Sequence, residues 1–179
     1  IFQHGKHVEV DWLPRPSTTG YERKYLLSDE QALGEWHNNI GTEALLRDDY
    51  PLAFAELSRA LRLAPEAAHS WVNLGVLYRR LGMLAEAESA WLIALRHNSR
   101  QLQAMSNLQA LFKARGQEKL AGELNGMILH YRRRNPFYHY LQAQRAEQAG
   151  RLDEALRHIQ RAKSMHKDPR FDELQARVR

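Results

Sequence analysis

Three asparagines, Asn39, Asn73 and Asn107, recur at a spacing of 34 residues. An amide side chain offers both a hydrogen-bond donor and an acceptor, the two groups that an extended peptide presents along its backbone. Repeated on one face, such amides would hold a peptide by its main chain. They also fit a plainer role, in which each amide bonds between adjacent helices. Arg79, Arg80 and Lys113 follow Asn73 and Asn107 after six or seven residues. On the same side they would favour acidic residues or a terminal carboxylate; the alternative is a solvated helix face.

Other chemistry finds little support. The chain has no cysteine, which excludes disulfides, Cys-ligated zinc and thiol nucleophiles and leaves the redox compartment open. Nine histidines are scattered, His4 and His7 near the start and the others along the chain, with no metal triad and no His-Glu-His helix motif. Neither a phosphate-binding glycine loop nor a serine in a nucleophile-elbow context is present. No enzymatic activity, metal or cofactor is expected of this chain. The run Arg132, Arg133 and Arg134, followed by Phe137, Tyr138 and Tyr140, has two readings. Cations in the last turn of a helix complement its dipole. Basic residues beside aromatic rings also suit single-stranded nucleic acid, a less favoured alternative.

The elements that must position these residues follow from the same 34-residue spacing. Asp48, Gly82, Gly116 and Gly150 share one column; Ala53, Ala87, Ala121 and Ala155 a second; Ala60, Ala94, Ile128 and Ala162 a third. Four units tile residues 34–67, 68–101, 102–135 and 136–169 without insertion. Each reads as two helices. In the second, Trp71, Leu74, Gly75 and Tyr78 form one apolar face, Gly82 ends that helix, and Ala87, Trp91 and Ala94 repeat the spacing on the next. Small residues at Gly41, Gly75 and Ala143 let paired helices approach closely. Asn135 before Pro136, and Asp49 before Tyr50 and Pro51, are helix-opening signals.

The set Trp71, Leu74, Gly75, Tyr78, Gly82, Ala87, Trp91 and Ala94 resembles the tetratricopeptide repeat family pattern in full. The resemblance implies an all-α, right-handed α-solenoid of four helix-turn-helix units, with a concave face lined mainly by the first helix of each. It implies an interaction scaffold or adaptor that takes an extended peptide or a partner helix in that groove, with acidic ligands favoured; Asn39, Asn73, Asn107, Arg79, Arg80 and Lys113 would be the peptide-binding residues. The family's two-carboxylate clamp is not expected. Its places hold Asn38, Thr42, Asn73, Gln103 and Asn107, and only Asn73 fits. The third unit departs most. It has Gln109, Glu118 and Asn125 at patterned positions, and Gly122 and Gly126 inside its second helix each cost about 1 kcal/mol against alanine. It reads as the softest unit, either a hinge or tolerated drift.

Residues 28–179 form the repeat domain, with Phe171, Leu174 and Val178 marking 170–179 as a partial capping helix. Residues 1–27 read as an extended segment and linker: Val8, Val10 and Trp12 alternate with acidic residues, and 14–20 are rich in proline, serine, threonine and glycine. The short strand, the linker, Ser28-Asp29 and Asn135-Pro136-Phe137-Tyr138-His139 together look similar to bacterial proteins that join a transglutaminase-like domain to carboxy-terminal tetratricopeptide repeats. That resemblance makes residues 1–27 the tail of an upstream domain and the repeats a docking module for it. Beginning at Ile1, the chain reads as a processed form or an excised piece. A net charge of +5 favours acidic partners without requiring nucleic acid.

Overall fold

A computed structural model describes residues 27–179. The extended segment expected over residues 8–12, the linker at 14–20, and His4 and His7 lie outside these described residues. Nine helices and no strand occur among the described residues. They are α1 (Asp29–Leu46), α2 (Tyr50–Leu63), α3 (Ala68–Arg80), α4 (Leu84–His97), α5 (Leu102–Ala114), α6 (Glu118–Arg132), α7 (Pro136–Gln148), α8 (Leu152–Met165) and α9 (Pro169–Val178). The fold is the all-α helical solenoid that the repeat implies. None of these helices is long and apolar enough to cross a membrane.

Local chemistry sets the helix ends. Ser28 opens α1 with a reciprocal cap: its hydroxyl accepts from the Gln31 amide at 3.2 Å, and the Gln31 side chain accepts from the Ser28 amide at 3.0 Å. Asp49, Asn135 and Asp168 cap α2, α7 and α9, each with a proline in the first turn. The turn inside each pair uses one left-handed residue: Asp48, Gly82, Gly116 and Gly150 have φ of 59°, 78°, 71° and 70°. That column of the sequence is therefore a column of backbone geometry, and Asp48 is the one residue in it that carries a side-chain strain.

Within a pair, close approach is set by small residues on the first helix. A Cβ placed on Gly41 would lie 2.8 Å from Cγ of Leu57, so the bare backbone makes the seat for that leucine. Ala53, Ala60, Ala87, Ala94, Ala155 and Ala162 are fully buried on the facing helices. Between pairs, larger residues knit the stack. Leu74 and Leu77 of α3 join Leu57 and Leu45 in one core, and Leu108 and Leu111 of α5 join Trp91 and Ala94 in the next. Each fully buried leucine contributes about 1.5–3 kcal/mol of burial. Trp71, Val76 and Tyr78 touch both cores and make them continuous from α1 to α6.

A third core belongs to α7, α8 and α9, built on Ala143, Ala146, Ala155, Ile159, Leu174 and Val178. Phe171, Leu174 and Val178 are buried, so α9 covers apolar surface of the last pair.

Candidate functional site

Repetition brings the first helices of the second and third units side by side, and a pocket of about 500 Å3 opens between α3 and α5. Val72, Val76 and Leu102 give it apolar lining; Asn73, Asn107, Gln103 and Ser106 give it hydrogen-bonding groups; Arg132, at the end of α6, is its single charged residue. Two of the three asparagines singled out by spacing therefore share this pocket.

The three asparagines are not equivalent. Asn73 is half-buried, and its amide nitrogen donates to Asn38 Oδ1 and to Thr42 Oγ1, both at 2.9 Å. Both of its N–H groups are thus used against α1, which leaves Oδ1 as the group able to meet a ligand's N–H. Asn107 is half-buried and has no side-chain hydrogen bond to another described residue. Asn39 is exposed. The asparagine that turns inward from α1 is its neighbour Asn38, which is 5% exposed. The signal was present in the sequence: Gly34, Asn38 and Gly41 fall at i, i+4 and i+7, the buried stripe of α1.

The basic residues also divide. Arg80 donates to the Leu45 carbonyl at 2.7 Å and to Asp48 Oδ1 at 2.5 Å, closing the end of α1 and steadying the left-handed Asp48. Arg79 and Lys113 are exposed and have no ion-pair partner among the described residues. Neither lines the pocket. Arg132 does, a role that the sequence pattern of three consecutive arginines hid: Arg132 ends α6, Arg133 is its C-cap, and Arg134 bonds to His130 in the turn.

Two of the three rings that follow this basic run are engaged elsewhere. Phe137 and Tyr140 pack on Phe171 of α9 at centroid distances of 5.6 and 5.5 Å, and Arg170 lies 4.9 Å over the Phe137 ring. Both are thereby committed to the seat of α9, while Tyr138, the third ring of the run, meets the adjacent His139 edge-on.

Two titratable pairs lie away from the pocket. Glu56, buried between α1 and α2, accepts from His37 Nδ1 at 2.5 Å and from Arg59 at 2.6 Å. The His37 hydrogen bond holds its carboxyl below the usual value against the opposing effect of burial, and the Arg59 charge adds to it. On α7 and α8, His139 Nδ1 and His158 Nδ1 are 3.1 Å apart, while His139 Nε2 faces the Arg133 carbonyl at 3.0 Å. A carbonyl only accepts, so His139 Nε2 carries the proton and its Nδ1 accepts from His158 when both rings are neutral. Burial, and then the His139 charge, pushes the His158 imidazole below its usual range.

Residues 38–102 match the tetratricopeptide repeat family model. No curated protein matches the chain significantly. Among solved structures, the chain is similar to PilF of Pseudomonas aeruginosa, with 15% identity over 84% of this chain and 69% of that one, and a TM-score of 0.54. It is similar to residues 41 to the end of MamA from Desulfovibrio magneticus RS-1, with 17% identity, coverage of 86% and 85%, and a TM-score of 0.52. A tetratricopeptide repeat protein from Parabacteroides merdae shares 19% identity over 82% of this chain and 59% of its own, at a TM-score of 0.51. At these identities the likeness speaks for fold alone.

Proposed function

We propose that this chain, whose residues 38–102 match the tetratricopeptide repeat model and whose paired helices continue in the same pattern to α8, is a non-catalytic scaffold that holds an extended peptide along α3 and α5. The observation that carries this reading is the pocket shared by Asn73, Asn107 and Arg132. Asn73 presents an acceptor and Asn107 both an acceptor and donors, which suits successive backbone groups of one strand. Val72, Val76 and Leu102 take an apolar side chain between them, and Arg132 favours an acidic neighbour on the same peptide. Asn39, Arg79 and Lys113 extend the contact surface at its margins, while Arg80 serves mainly to hold the α1 end.

Selection from a random peptide display library on the immobilised chain would supply ligands. Their affinity for the parent, Asn107→Ala and Arg132→Gln is then measured by fluorescence polarisation, with helicity checked by circular dichroism. Each variant is expected to lose at least about tenfold in affinity. Selected peptides that bind parent and both variants equally would move the site away from this pocket.

A further inference from the structure

The stack is not uniform along its length. Where Leu74 with Leu77, and Leu108 with Leu111, bury apolar surface against the preceding unit, the fourth unit carries Gln142, half-buried, and Arg145, exposed. The helix on the other side of the joint, α6, is itself loosely seated on its own partner α5. Asn125 is exposed at the place where Leu57 and Trp91 are fully buried, and Cβ atoms on Gly122 and Gly126 would meet nothing within 4 Å. The facing position is altered too: Gln109 stands where Gly41 and Gly75 seat those large side chains.

Packing follows chemistry. The pairs α2 with α3, α4 with α5 and α8 with α9 pack on each other, whereas α6 and α7 barely touch although only residues 133–135 separate them. The core of α7–α9 shares no residue with the continuous core of α1–α6. At the first joint, Asn73 and Arg80 bond across to α1. At this one, among the described residues, the side-chain bond is that of His139 to the Arg133 carbonyl, and its acceptor lies in the connecting turn itself.

We propose that Arg133, Arg134 and Asn135 form a hinge about which α7, α8 and α9 swing as one body against α1–α6. A joint without interlocked apolar side chains has no single packed minimum, and a few turn residues absorb the change in backbone dihedrals. Arg132, which lines the pocket, directly precedes the hinge, so the swing is felt at the groove. The hinge stands on packing and does not depend on what the groove binds.

The absence of native cysteine allows clean paired spin labels. Arg96→Cys on α4 with Gln160→Cys on α8 spans the joint, and Arg62→Cys on α2 with Arg96→Cys spans the continuous core. Pulsed electron paramagnetic resonance should give a distance distribution across the joint at least about twofold broader than the control. Adding Gln142→Leu and Arg145→Leu, which restores the apolar pair of the earlier joints, should narrow it towards the control width. Equal widths in the parent would overturn the hinge, whether or not the double-leucine variant folds. Broad distances that persist in a folded double-leucine variant would also overturn the packing explanation.

Discussion

The indole of Trp91 fills the space where residue 75 would carry a side chain: a Cβ on Gly75 would fall 2.4 Å from the indole Nε1. That nitrogen donates to the Val72 carbonyl at 3.2 Å, and the ring is completely buried. Gly75→Ala must push Trp91 out of its seat, and destabilisation of about 1–3 kcal/mol is expected from overpacking. The shift of the urea midpoint measures it. An unchanged midpoint would mean that the two helices can part without cost.

Ala87 tests the same contact from the other helix. It is fully buried on α4, so Ala87→Leu should also cost about 1–3 kcal/mol. The third unit predicts the opposite sign. Gly126 lies inside α6 with open space at its Cβ, so Gly126→Ala should stabilise by about 0.5–1 kcal/mol. Thermal melts of the two variants should move in opposite directions.

Arg79 and Arg80 are neighbours with different roles. Arg80→Ala removes the bonds to the Leu45 carbonyl and Asp48 and should cost about 1 kcal/mol, discounted for partial exposure. Arg79→Ala should stay within about 0.5 kcal/mol. Equal costs in chemical denaturation would remove the structural assignment of Arg80.

Acid sensitivity should begin near neutrality. Because the folded His158 imidazole is pushed below 6.5, the unfolded chain takes up its proton first. The stability it leaves intact is fully present above 6.5 and declines as pH falls below that value, until the folded ring also titrates. Glu56 works in a separate window, since its lowered carboxyl contributes above 4.5 and is lost as pH falls beneath. His158→Asn should flatten the first decline in melting temperature and leave the second. A first decline of the same size in the variant would place the responsible group elsewhere.

Spacing identified the paired helices, and the family resemblance the solenoid, because the repeat carries both backbone and packing demands. Asp48, Gly82, Gly116 and Gly150 stand in one column since each sits in the left-handed region that ends a first helix. The candidate pocket was legible only in part. Asn73 and Asn107 do flank one pocket, whereas on α1 the inward asparagine is Asn38, which stands in the buried column of Val72. Gly34 and Gly41, seated against α2, fix that face of α1. Arg132 was hidden because it comes from a second helix and reaches a pocket built by two first helices. Repeat patterns describe what recurs, and a cation contributed once leaves no trace in them.

The polar seam between α6 and α7 also bears on how the molecule comes apart. In a stack of helix pairs, cooperativity passes from neighbour to neighbour through shared buried surface. Here that coupling is strong from α1 to α6 and weak beyond. Calorimetry should accordingly resolve a small early transition, the loss of α7–α9, ahead of the main one, with the calorimetric enthalpy exceeding the van't Hoff value of either. The chain would then have two melting points rather than one, and a substitution would register only in the block that contains it.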